Sequence, residues 1–182
     1  MDLLIPIKPT VFSLLTDSFL LIDSNFIIDA YRFTEEFNTL INKISDVNCT
    51  LFSIDAIKYE FTKGSKSIVE HQKKLKYYSS IIKATLLVDK NIHNNQQIIL
   101  NTLLSRSKDL SYPDSLLLGT LMKYDNNKTF LLTRDRTDIP IDIFPIKASI
   151  ALYAEGKNIF YSIYSFNKQL FEDNMKRGMG KK

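Results

Sequence analysis

The stretch FLLIDSNFIIDAY, residues 19–31, constrains this chain more than any other. Phe19 to Ile22 form an unbroken apolar run, too short for a helix and suited to a strand buried on both faces. Asp23 ends the run, and Ser24 and Asn25 follow as helix-start residues. A carboxylate at the C-terminal end of a buried parallel strand lies at the rim where open α/β sheets place their sites. The alternative is that Asp23 only caps the next helix. This stretch alone leaves both readings open.

Two further apolar runs repeat the pattern. TLFSI, residues 50–54, and TFLLT, residues 129–133, read as buried strands. Phe33, Phe37, Leu40, Ile41 and Ile44 recur at three- and four-residue steps, predicting a helix between the first two. Asp55 is a predicted cap for a short helix through Glu60 that ends near Gly64. Residues 65–88 are predicted to form one longer helix, with Ser67 and Glu70 in capping-box spacing. Ile68, Leu75, Tyr78, Ile82 and Leu86 share one face; Lys66, Lys73, Lys76 and Lys83 share the opposite one. Those lysines are read either as a solvated face or as a stripe that tracks phosphates.

A polar patch, Asn91 to Gln97, is expected to lead into a helix around Ile98 to Leu104. Ser111, Tyr112, Pro113 and Asp114 make a strong helix start. Residues 116–122 are apolar almost all round, which predicts a central helix. Asp125, Asn126 and Asn127 are expected to turn the chain into the third strand. IDIF (141–144) and NIFYSIYSF (158–166) are further expected strands, and residues 176–182 a flexible basic tail. Residues 1–18 are expected to lie on the body through Leu3, Leu4, Ile5, Phe12 and Leu14. Strands alternating with helices imply an α/β chain with a central parallel sheet and helices on both sides.

The chain has 182 residues and a formal net charge of +4, so one domain with a full core is expected and nucleic acid is a compatible partner. The single Cys49 excludes an internal disulfide and a cysteine-rich zinc site, and suits a reducing compartment. His71 and His93 share no metal spacing and read as surface helix residues. No stretch has the length of a membrane span, and the first 18 residues lack the pattern of a signal peptide. A soluble, cytoplasmic protein is the expectation. No G-x-G-x-x-G or P-loop follows the first strand, and Asn25 stands where a haloacid-dehalogenase-like phosphatase would have its second Asp.

Four acids are distinguished by placement. Asp23 and Asp135 follow buried strands, Glu60 shares a helical face with Ile57, and Asp114 opens the most apolar helix. Carboxylates gathered at one rim repel each other unless a cation binds there. Oxygen ligands without His or Cys point to Mg²⁺ or Mn²⁺.

In these motifs the sequence resembles the PIN-domain nucleases, which include the VapC-like ribonuclease toxins of toxin–antitoxin pairs. The likeness spans residues 19–139 and rests on LLIDSNFIIDAY, AIKYEFTKG (56–64), YPDSLLLGTL (112–121) and FLLTRDRTDI (130–139). It implies a PIN-like three-layer α/β/α sandwich over 19–175 and metal-dependent cleavage of RNA. It assigns Asp23, Glu60, Asp114 and Asp135 as catalytic, metal-binding acids holding Mg²⁺ or Mn²⁺. Ser24, Asn25 and Thr133 match polar positions that support the acids or touch phosphate. Arg134 and Arg136 flank Asp135 and are read either as phosphate contacts or as members of surface ion pairs. The family often carries a further acid two residues after the last one; here Thr137 stands there and Asp138 comes one later, so Asp138 receives no firm role. Asp29 is read as structural. RNA is the expected partner, with an antitoxin protein and a second copy of the chain as further candidates. A PIN-fold RNA-binding or scaffold protein without catalysis is the competing class.

Overall fold

A computed structural model describes residues 9–104, 110–125 and 128–179. Its centre is a six-stranded sheet in the order β3-β2-β1-β4-β6-β5. The strands are β1 (Phe19–Ile22), β2 (Thr50–Ile54), β3 (Ala84–Leu86), β4 (Thr129–Thr133), β5 (Ile146–Ala154) and β6 (Lys157–Tyr164). β1 pairs in parallel with β2 and β4, and β2 with β3; β6 runs antiparallel to β4 and β5. The helices are α1 (Pro9–Leu15), α2 (Ser24–Arg32), α3 (Thr34–Asp46), α4 (Asp55–Thr62), α5 (Ile68–Ile81), α6 (Lys90–Leu104), α7 (Tyr112–Lys123) and α8 (Lys168–Met179).

The order explains the three-layer α/β/α sandwich. From β1 through β2 to β3 the chain steps outward one way, and from β3 it crosses back over β2 and β1 to β4. Right-handed crossovers then put α2 to α5 on one face and α6 and α7 on the other. β1 lies at the point where the direction reverses. The crevice of such a sheet opens between the C-terminal ends of β1 and β4.

All five residues of β4 are buried, as are Leu20, Leu21 and Ile22 of β1. Burying each large apolar side chain contributes about 1.5–3 kcal/mol, which makes these central strands the core of the fold. On one face Phe26 of α2, Phe37 of α3 and Tyr161 of β6 meet edge to face, with centroids 5.2 to 6.1 Å apart. On the other, α7 is buried from Ser115 to Leu121. It approaches α6 so closely that a Cβ on Gly119 would stand 2.8 Å from the Ile92 carbonyl oxygen. Val11 and Leu15 of α1 belong to the same core. Below the sheet, Asp17 and Asn48 take left-handed conformations (φ 53° and 57°) and are joined by a 2.8 Å hydrogen bond from Asn48 Nδ2.

Several elements differ from expectation. The sheet is mixed, because Ile146–Ala154 forms a strand that the sequence reading omits. It returns through Glu155 and Gly156, whose φ values of 47° and 78° make the two-residue turn that suits the twist of a hairpin. Residues 141–144 form turns instead of a strand. The helix predicted over 65–88 stops at Ile81, and Ala84–Leu86 pairs with the free edge of β2. Ile68, expected on its buried face, is 77% exposed. Phe33 separates two helices where one was expected, and the polar patch 91–97 lies inside α6. α8 continues to Met179, so residues 176–179 are helical. Leu3, Leu4, Ile5, Asn126, Asn127 and residues 180–182 lie outside the described residues. No helix among the described residues is long and apolar enough to cross a membrane.

Candidate metal centre

Asp23 is the N-cap of α2 and is buried at the end of β1. Its Oδ1 accepts from the Ser24 amide at 2.5 Å and from Ser24 Oγ at 3.2 Å. Its Oδ2 accepts from Asn25 Nδ2 at 3.0 Å and from Thr133 Oγ1 at 2.7 Å. A carboxylate has about four acceptor positions, so protein donors fill this one. Burial lifts the Asp23 pKa above the usual carboxylate range, and the bonds from Thr133, Ser24 and Asn25 pull it back only in part. The cap reading and the site reading of Asp23 are therefore compatible: it caps α2 and ties β1 to β4 at the crevice.

Thr133 is the hinge of the arrangement. While its hydroxyl donates to Asp23, it accepts the Asp135 amide at 3.0 Å. Tyr164 Oη holds the Asp135 carbonyl from the other side at 3.1 Å. Past Asp135 the chain curls into a turn around its own carboxylate: Oδ1 accepts the amides of Thr137 at 3.0 Å and Asp138 at 3.4 Å. That curl returns Asp138 to the site.

Asp114 arrives from the opposite layer in the first turn of α7. Ser111 Oγ accepts its amide at 3.2 Å and donates to its Oδ2 at 2.5 Å. The helix is fixed from behind where the buried Gln96 of α6 donates to Ser115 Oγ at 2.7 Å. Burial, and then the charges of Asp23, Asp135 and Glu60, push the Asp114 pKa up to about 6, although the Ser111 bond works against them.

One oxygen from each of Asp114, Asp135 and Asp138 lies within 4.8 Å of the others, a spacing that can hold a divalent ion. Asp114 Oδ1, Asp135 Oδ2 and Asp138 Oδ2 accept no hydrogen bond among the described residues. Each of the three acids thus keeps one hard oxygen without a hydrogen bond, and ligands of this kind suit such a cation. Asp23 and Glu60 stand outside this group, near enough to act on Asp114 by charge. For Asp23 to touch an ion, one of its donors must let go; the 3.2 Å bond from Ser24 Oγ has least to lose.

Comparison of the chain with family models, with curated proteins and with solved structures finds no match. The site is therefore read on its own geometry.

The sequence pattern names Asp114 and Asp135 and leaves Asp138 without a firm role; the structure sets Asp138 beside both. Ser24, Asn25 and Thr133 all serve the Asp23 carboxylate. Arg134 turns away from the acids: its Nη1 pairs with Asp29 Oδ2 at 3.0 Å, which makes it the ion-pair member of its two readings. Asp29 also accepts from Tyr161 Oη at 2.5 Å, and burial first, then this bond, raises the Tyr161 pKa. Arg136 lies over the Phe160 ring, 5.8 Å from its centroid. Gln96 and Ser115, which hold α7 in place, carry no sequence signal beyond a polar residue at helical spacing.

Proposed function

We propose that this protein is a divalent-metal-dependent endoribonuclease of the PIN type. The observation that carries the reading is the meeting of carboxylate oxygens from Asp114, Asp135 and Asp138 at the crevice between β1 and β4. An arrangement that leaves Asp114 with a pKa of about 6 costs stability unless a cation repays it.

Asp114, Asp135 and Asp138 would hold Mg²⁺ or Mn²⁺. The bound ion would supply positive charge at a phosphate oxygen and would acidify a water molecule. The chain's own residues set the rest. Thr133 and the turn at Asp135 fix two of the acids, Ser111 fixes the third, and Asp23 anchors the crevice through four donors. The Glu60 side chain makes no hydrogen bond or ion pair among the described residues and lies close enough to Asp114 to raise its pKa. In this reading Glu60 orients the attacking water and takes its proton. The water oxygen forms the new bond to phosphorus as the ester oxygen departs with the electrons of the broken bond and gains a proton from solvent.

The test is incubation of purified protein with unstructured and structured RNA in Mg²⁺, Mn²⁺ or EDTA, followed by mapping of product ends. Cleavage in metal that is lost in EDTA and in Asp135→Asn and Asp138→Asn is expected. Equal cleavage in EDTA, or full activity in both variants, overturns the reading.

A further inference from the structure

β6 outruns its neighbour. Thr133, the last residue of β4, pairs with Ser162, so Phe160 and Lys157 project beyond the rim at which the acids gather. The hairpin β5–β6 therefore forms a wall beside the site. Between this wall and the C-terminal end of α2 runs an open groove of about 490 Å³.

Four cations line the groove: Arg32, Arg134, Arg136 and Lys157. Two are neutralised. Arg134 is paired with Asp29, and Arg32 lies 3.8 Å from Glu155. Arg136 and Lys157 are exposed and make no ion pair among the described residues. The groove thus carries a net positive charge next to an acidic cluster. Phe160 lies on its wall, 48% exposed, with the Arg136 guanidinium over its ring. Exposed aromatic rings interleaved with unpaired cations are what a single nucleic-acid strand uses, bases stacking on rings and phosphates meeting charges. A duplex keeps its base faces stacked inside and cannot use such a ring. An acidic peptide would use the charges but gain nothing specific from Phe160. Two of the residues that line the groove, Arg134 and Arg136, flank Asp135 in the chain.

We propose that the groove between the β5–β6 hairpin and the end of α2 carries one arm of a single-stranded RNA, a base stacked on Phe160 and phosphates on Arg136 and Lys157. The choice of RNA rests on the ribonuclease reading; the groove itself does not need the metal.

The experiment measures anisotropy of a labelled, unstructured oligoribonucleotide titrated with full-length protein in EDTA over a range of salt. Phe160→Ala is expected to weaken binding about tenfold. Arg136→Gln and Lys157→Gln are each expected to reduce the slope of log affinity against log salt by about 0.7. All three residues are exposed, so the melting temperature in EDTA should stay near the wild type, and Phe160→Ala and Lys157→Gln should also keep its Mn²⁺-induced shift. Lys73→Gln with Lys76→Gln removes two exposed charges from α5 and should leave binding intact. The proposal is overturned if the groove variants bind like the wild type, or if the α5 variant loses as much. It is also overturned if an RNA duplex or oligoglutamate binds as tightly as the single strand. Groove-dependent binding without cleavage in any metal leaves this inference standing and removes the ribonuclease reading. Cleavage with groove-independent binding does the reverse.

Discussion

The hydroxyl of Thr133 donates to the carboxylate of Asp23 at 2.7 Å, closing a loop of 110 residues at the C-terminal ends of two adjacent strands. The bond ties the two strands together where the crevice opens. Asp23 caps α2 with its other oxygen, which accepts the Ser24 amide, and the Asp135 amide reaches Thr133 on its far side.

Asp23→Asn should therefore destabilise the protein with or without metal. The amide would set an N–H against donors that now meet only acceptors, and an unmet buried donor costs about 1–3 kcal/mol. Thr133→Val should cost a similar amount. In the double variant the losses should be clearly less than additive, because one bond is shared. Additive losses in chemical denaturation would show the two residues to be independent. It follows that Asp23→Asn is a poor probe of metal binding, since a loss of activity would have a structural cause.

Asp135→Asn is a better probe. The side-chain carbonyl of Asn can still accept the Thr137 and Asp138 amides, so the turn survives while the charge is lost. Relief of repulsion should raise the melting temperature in EDTA. The rise on adding Mn²⁺ should shrink, because ligand stabilisation follows affinity for the native state. A variant no more stable in EDTA, with the full Mn²⁺ response, would leave the cluster without a role in metal binding.

The sequence made the framework of this site legible because β1, β2 and β4 are short, continuous apolar runs that admit few other readings. Asp114 was legible for a different reason: Ser111 and Pro113 mark a helix start unambiguously. Asp138 was not, because its approach depends on the curl of the chain around Asp135 and not on spacing along a strand. Ile81 to Leu86 continue the helical period of α5 and also suit a strand edge. Pairing with β2, a long-range term, decides between them. Strand β5 alternates only loosely, and two residues, Glu155 and Gly156, form its turn. The groove was invisible for the same reason, since the hairpin builds its wall.

Acidity should act on the metal-free protein in a defined sense. The Asp114 pKa rises from 3.8 to about 6 on folding, so across that interval the native state holds a proton that the unfolded chain releases. Stability must then fall as pH rises through the interval, and the whole of this contribution is lost above about 6. Asp114→Asn keeps an acceptor for Ser111 and removes the titration. The difference in melting temperature between wild type and variant in EDTA should be small near pH 4 and should grow in the variant's favour up to about pH 6. Divalent-ion affinity should show the mirror image, weakening as pH falls below about 6, because ion and proton compete. A pH-independent difference would show that neither burial nor the other acids act on Asp114.

The position of Asp114 also depends on how closely α7 can lie on α6. Gly119 permits that approach: an added Cβ would meet the Ile92 carbonyl oxygen at 2.8 Å and the Gln96 amide nitrogen at 3.0 Å. Both are backbone atoms of a helix and cannot step aside alone, so Gly119→Ala must push the two helices apart. Overpacking of this kind costs about 1–3 kcal/mol. The shift should also disturb the bonds from Gln96 to Ser115 and from Asn95 to the Gly119 carbonyl, which hold the helix carrying Asp114. The expected outcome is a lower melting temperature together with a smaller stabilisation by Mn²⁺, although no acid has been changed. Gly64→Ala is the control, since nothing lies within 4 Å of its added Cβ and its backbone takes no left-handed conformation. It should leave both readings near the wild type. If Gly119→Ala is as stable as Gly64→Ala, the helices are not in contact at Gly119; if it is less stable but keeps the full Mn²⁺ response, Asp114 is held independently of that contact.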